Sequence, residues 1–259
     1  MTNIEIEENL WGYGKRLRFV CTSIEAAFPG QVPSDLRILD VGCGSASQLG
    51  LPLARLGYKI TGIDTHEPSI RVACEISKDL PNAKFVLGCV DDLDAEPFQV
   101  VILSEVLEHV SEPEKLLCRS LAHLQKNGLA IVTVPNGYGE FEWDSWVYRN
   151  LGVEKLVKKF KDRRGEKSEK PHNGPSTENQ DDGHIQFFSQ RRMIEMFRSQ
   201  GLAVIHTQGS TLMSGPFVAH TLGHIPAFLD WNSRISDRLP LVLASGWFFA
   251  LQRRAEAKK

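Results

Sequence analysis

"ILDVGCGSAS", Ile38–Ser47, decides how this chain is read. An apolar run carries Asp40, two glycines follow at Gly42 and Gly44, and small polar residues open the next segment. The pattern predicts a strand, a tight turn and the start of a helix. Glycine lets such a turn take positive φ and come close to a ligand, while a helix start presents unpaired N–H groups. The dinucleotide fingerprint G-x-G-x-x-G is not met, because Ser47 stands where its third glycine belongs. Asp40 is also a charge that a pyrophosphate disfavours nearby.

Outward from this stretch, short apolar runs alternate with helical segments. RILDVG (Arg37–Gly42), YKITGID (Tyr58–Asp64), AKFVLG (Ala83–Gly88), FQVVILS (Phe98–Ser104) and LAIVTVPN (Leu129–Asn136) read as strands. Between them lie expected helices over Ser47–Leu56, Pro68–Leu80 and Pro113–Gln125. The last has Leu116, Leu117, Leu121 and Leu124 at helical spacing. Continuously apolar strands separated by helices imply βαβ units and a parallel sheet covered on both faces. The expected fold is α/β, doubly wound, with a mostly parallel seven-stranded sheet.

After Asn136 the alternation stops. The next stretch carries an aromatic cluster with Trp143, Trp146 and Tyr148, then a basic run and a polar run. Residues 137–189 are therefore expected to form an inserted substrate lid after the fifth strand. Alternation resumes with a helix at Gln190–Gln200, a strand at LAVIHT (Leu202–Thr207), a helix around Phe217–Ile235 and a final strand at LASGWFFALQRR (Leu243–Arg254). One domain, 1–259, is expected, with residues 1–35 as an N-terminal helical cover.

Composition narrows the function classes. Of 259 residues 42% are hydrophobic, enough for a sizeable core, and the net charge of −2 shows no field that would attract nucleic acid. The five cysteines (Cys21, Cys43, Cys74, Cys89, Cys118) have no CxxC spacing, which argues for reduced thiols rather than a disulfide or zinc framework. The acidic start MTNIEIEENL is not a signal peptide, and the longest apolar stretch falls short of the ~20 residues of a bilayer span. A cytoplasmic protein with no membrane span is expected.

The glycine loop suits S-adenosylmethionine (SAM), whose methionine end is zwitterionic. Asp40 can meet its ammonium. Asp64, at the end of the second strand, is placed to accept from both ribose hydroxyls. Together these features resemble the class I SAM-dependent methyltransferases with their Rossmann-like fold, especially the ubiquinone-biosynthesis O-methyltransferase group. The likeness runs from about Leu36 to Asn136 and resumes at GHIQFFSQRRMIEMFRSQGLAVI. It implies that Asp40, Gly42 and Gly44 hold the methionine part, Asp64 the ribose, and Cys89–Leu93 the adenine, with Ser104 beneath the methionine moiety. The chain departs from the family at Ala46, where a third glycine is usual, and at Gly88-Cys89 and Phe98-Gln99, where the family has Gly-Asp and Phe-Asp. The adenine amino group then falls to Asp91, a carbonyl or water.

A second stretch, SEVLEHV (Ser104–Val110), is either a site or the polar start of a helix. On a helix at ~100° per residue, Glu105, Glu108 and His109 share one arc, opposite Val106, Leu107 and Val110. In the ubiquinone-type and small-RNA-end methyltransferases a similar E-x-x-E-H is associated with a divalent ion, and the RNA group adds a later histidine, matched here by His184. The resemblance thus implies a metal set of Glu105, Glu108, His109 and His184, with His109 and His184 as catalytic candidates. The alternative leaves the glutamates serving a helix start and His109 the acceptor proton.

Trp143, Trp146, Tyr148, Phe187 and Phe188 either wall a substrate or pack the insertion onto the core. Trp11–Phe19 either folds over the cofactor, bringing Lys15 or Arg16 to its carboxylate, or forms a solvated first helix. The leading reading is O-methylation of a small-molecule acceptor; nucleic acid is not the expected partner, and the oligomeric state stays open. An RNA-end 2'-O-methyltransferase and a non-catalytic SAM-binding protein are the alternatives.

Overall fold

A computed structural model describes residues 8–137 and 185–254. Seven strands form one sheet: β1 Arg37–Val41, β2 Lys59–Asp64, β3 Ala83–Leu87, β4 Phe98–Ser104, β5 Leu124–Pro135, β6 Leu202–Gly209 and β7 Gly246–Arg253. Their order is β3-β2-β1-β4-β5-β7-β6. β1 to β5 pair in parallel, and β7 runs antiparallel to both β5 and β6. The chain builds outward from β1 to β3, then returns to lay β4 on the other side of β1. Such a reversal opens a crevice beyond the strand ends, where ligands of doubly wound sheets bind.

The helices are α1 Tyr13–Ala27, α2 Gly50–Arg55, α3 Glu67–Ile76, α4 Pro113–Ala122, α5 Gln190–Ser199, α6 Pro216–Thr221 and α7 Pro226–Ile235. They cover both faces of the sheet, as the continuously apolar central strands require. Leu39, Val101, Leu103 and Val132 join one core cluster with Trp247 and Phe249. Ile38, Val100, Ile102 and Ile131 join the other with Phe248 and, from α1, Leu17, Val20 and Ile24. Alternate residues of one strand thus serve opposite layers.

The strand and helix expectations hold in kind and shift at their edges. α2 begins at Gly50, not Ser47, because the loop continues through a turn at Ser45–Leu49. β5 begins five residues early, with an irregular register to β4 between Phe98 and Val100. The helix expected around Phe217–Ile235 is two helices, parted at Leu222–Ile225, just before Pro226.

SEVLEHV is not an α-helix. Ser104 ends β4, Glu105 turns at φ 55°, and only Leu107–His109 form a short 3-10 turn. The expected common face of Glu105, Glu108 and His109 is therefore not formed, and Leu107 and Glu108 are both buried. Of the expected lid, residues 138–184 lie outside the described residues, and with them Trp143, Trp146, Tyr148 and His184. Phe188, expected at the acceptor wall or in packing, is a core residue beside Met193 and Phe197. Among the described residues no helix is long and apolar enough to cross a membrane.

Candidate cofactor and acceptor site

A cavity of about 620 Å³ opens at the carboxyl ends of β1, β2, β4 and β5. Val41 pairs with Ile63 on one side and Leu103 on the other, so these strand ends stop level with one another. Asp40, Gly42, Gly44, Asp64, Asp91, Ser104, Glu105, Glu108 and His109 all line this cavity. The chain order expected from sequence becomes one continuous wall.

The loop after β1 turns through positive φ at Gly42 (71°), Gly44 (52°) and Ala46 (60°). Ala46 thus keeps the backbone that the missing glycine would favour, and its methyl is buried against the α2 core. Gly42 N–H donates to Ile63 O (2.8 Å) and Gly44 N–H to Asp64 Oδ2 (2.8 Å), tying the loop to β2. The other Asp64 oxygen accepts from His66 N–H at 2.8 Å. These two bonds fix the carboxylate's orientation and leave each oxygen a second lone pair. Asp40 lies fully inside the wall. Burial pushes its carboxyl up to about 7, Asp64 adds to this, and Arg16 opposes it.

At the end of β4 the side chains form a directed chain. Arg16 Nη1 donates to Ser104 Oγ (3.2 Å), Ser104 Oγ lies 2.9 Å from Thr133 Oγ1, and Thr133 donates to Glu105 Oε1 (2.7 Å). Because Thr133 spends its proton on Glu105, Ser104 is the donor to Thr133. Arg16 Nη2 also donates to Gln48 Oε1 at 2.6 Å, and Nη1 stands 3.6 Å from Glu105. Arg16 is thus a buried cation on the cavity wall, not part of a solvated helix. Lys15 turns away from the cavity into the chain after β6.

Glu108 is 1% exposed, and its Oε2 has no hydrogen-bond partner. Burial, then Glu105, pushes its carboxyl well above the usual range. His109 Nε2 stands 3.7 Å from Glu108 Oε1. Glu105 is already held by Thr133 and Arg16. Among the described residues no three His, Cys, Asp or Glu side chains are grouped to hold a metal ion. The described part of the expected set, Glu105, Glu108 and His109, does not fit a divalent ion.

Further along the cavity wall Asp91 is exposed and accepts from Arg119 Nη1 at 2.7 Å, beside Cys89. Trp11, Asn136, Ser210, Ser214 and Ser245 complete the wall. Asn136 Nδ2 bridges Val242 O (3.0 Å) and Ala244 O (2.9 Å), joining β5 to the turn before β7. Gln48, Thr133 and the three serines were not anticipated. Thr133 left one trace, as the only hydroxyl in the apolar run of β5; the others left none.

Fold and family define a class: class I SAM-dependent methyltransferases, here with a crevice at the β1/β4 reversal. A family model described as a methyltransferase domain matches residues 13–207, and the chain belongs to that family. Ubiquinone biosynthesis O-methyltransferase of Rickettsia akari (strain Hartford) is 32% identical over 124 residues, 47% of this chain and 48% of that protein. The enzyme of the same name from Bradyrhizobium diazoefficiens is 34% identical over 126 residues, 48% of this chain and 47% of its own. The match thus spans about half the length of these relatives. Among solved structures, magnesium protoporphyrin IX methyltransferase from Synechocystis, with bound S-adenosylhomocysteine (SAH), shares the fold at TM-score 0.57 and 15% identity, covering 94% of this chain and 84% of that one. Geranyl diphosphate C-methyltransferase from Streptomyces coelicolor does so at 0.54 and 12%, covering 93% and 80%.

Proposed function

We propose that this chain transfers the methyl group of SAM to an oxygen of a small-molecule acceptor. The observation that carries the reading is one unbroken cavity wall running from Asp64 past the glycine loop and Ser104 to His109 and Asn136. It gives a cofactor half and an acceptor half on either side of the β4 end.

In this reading the ribose hydroxyls meet Asp64 and the adenine lies beside Cys89 and Asp91. The amino-acid end lies between Asp40, Gly42, Gly44 and Arg16, with Ser104 beneath it. Asp40 faces the ammonium. Arg16, whose guanidinium lines the cavity beside Ser104 and Gln48, faces the carboxylate. The methyl donor is already a cation, so holding the acceptor oxygen in line supplies much of the rate. His109 takes the departing proton, with Glu108 beside it as neighbour of the imidazole. The names of the matched relatives support an oxygen acceptor.

Purified protein given methyl-labelled SAM and a metabolite extract should place label on one or a few small molecules, read by untargeted mass spectrometry. Label confined to material that RNase destroys would replace this reading with RNA-end methylation. No labelled product, with SAM bound, would leave a binding protein.

A further inference from the structure

Two neighbouring residues on α1 face different parts of the molecule. Arg16 points into the cavity. Lys15, about 100° around the helix, points into the segment after β6. Its Nζ donates to Ser210 O (2.9 Å), Ser233 O (2.9 Å) and Ser236 Oγ (2.6 Å), and lies 2.8 Å from Asp237 Oδ1. The residue is 3% exposed. A lysine buried this deeply requires its hydrogens and its charge to be met together, and this cage meets both.

The start of α1 is shaped to the same segment. Gly12 has φ 73°, and a Cβ there would lie 2.8 Å from Ser210 Oγ. Thr211 Oγ1 donates to Leu10 O at 2.9 Å, and Ser210 Oγ to Trp11 O at 3.3 Å. Glu8 accepts from Gly14 N–H at 2.9 Å while its other oxygen accepts from Ser233 Oγ at 3.1 Å. Arg16, by contrast, is held within the cavity only by side chains, and its Nε by nothing. A long side chain delivers its charge to one place only when its backbone is fixed.

We propose that Lys15 is a positioning residue for the cofactor: by locking the first turn of α1 onto Ser210, Ser233, Ser236 and Asp237, it sets Arg16 against the carboxylate of the bound cofactor. The proposal rests on the reading of Arg16 given above. It also makes the roof of the acceptor half, through Ser210, part of the same lock.

The test compares two ligands by calorimetry: SAH, which keeps the amino-acid end, and 5'-methylthioadenosine, which lacks it. Arg16→Gln should weaken SAH about tenfold or more and leave methylthioadenosine within about twofold. Lys15→Met should do the same to a lesser degree, about fivefold, and add nothing in an Arg16→Gln background, since the lysine acts only through the arginine. Unchanged SAH affinity in Lys15→Met, equal loss of both ligands, or losses that add in the double variant would each overturn the proposal. Unchanged SAH affinity in Arg16→Gln alone would remove the Arg16 reading itself. If Lys15→Met does not fold, Asp237→Asn, which leaves the three oxygen partners of Nζ in place, should weaken SAH about twofold to threefold and spare methylthioadenosine. Wild-type SAH binding in that variant would count equally against the lock.

Discussion

A methyl group added at Gly42 would lie 2.4 Å from Val106 Cγ2, on a backbone at φ 71°. Valine cannot swing aside as a long chain can, and a side chain in this region of φ is strained by roughly 1–2 kcal/mol. Gly42→Ala should therefore lower unfolding stability by at least that much in a denaturant titration and weaken SAM by displacing the loop. Ala46, at φ 60°, already carries such strain, but its methyl is buried and recovers part of it. Asp40 makes a separate prediction. Its folded value, about 7, stands above the ordinary carboxylate range because burial disfavours its charge. Its stabilising share is thus complete below pH ~4 and is lost as pH rises to about 7, by at most about 4 kcal/mol. Asp40→Asn should flatten ligand-free stability over that window. A SAM ammonium favours the charged form, so SAM should bind more weakly below pH 7 than above it. A pH profile identical in Asp40→Asn and the wild type would contradict this assignment. These residues were legible in the sequence because the loop needs glycine and a carboxylate at fixed spacing. Gln48 was not, since nothing local marks a residue whose partner, Arg16, lies 32 positions away.

At the scale of elements, α1 packs against β5 and β7 and reaches β6 at the far edge of the sheet. Its Phe19 is buried, stacked on His206 of β6 at 5.1 Å and tilted on Phe248 of β7 at 5.6 Å. Phe19→Ala should cost about 3–5 kcal/mol of stability, because it removes a fully buried ring together with its contacts to His206 and Phe248. A loss under about 1 kcal/mol would mean that α1 is only loosely docked. The α/β pattern of β1 to β5 was readable because buried parallel strands are continuous apolar runs between helical stretches. SEVLEHV was misread as a helix because the residue types allow one. Its course is set by non-local bonds: Glu105 N–H to Thr133 O (3.0 Å) and the Glu105 carboxylate to Thr133 Oγ1 (2.7 Å) hold a turn that periodicity cannot show. The break between α6 and α7, by contrast, was visible in Gly223 and Pro226 and was passed over.

For the molecule as a whole, the likeness to solved methyltransferases of 12–15% identity shows the fold, and the acceptor is argued from the cavity. The part of the cavity proposed for the acceptor draws on Trp11 at one end of the chain and on Ser210, Ser214 and Ser245 at the other, 199 positions separating Trp11 from its partner Ser210. No short motif encodes such a wall. That is why the loop residues proposed for the cofactor could be named from the sequence and the residues proposed for the acceptor could not. The central claim is that this crevice holds SAM with its ribose on Asp64. Isothermal titration of SAM into the wild type and into Asp64→Ala, with folding checked by circular dichroism, tests it most directly. Removing the carboxylate takes away charge-assisted bonds worth roughly 1.5–3 kcal/mol and releases Gly44 N–H, so affinity should fall about 10-fold or more. A folded Asp64→Ala variant that binds SAM as tightly as the wild type would contradict the account.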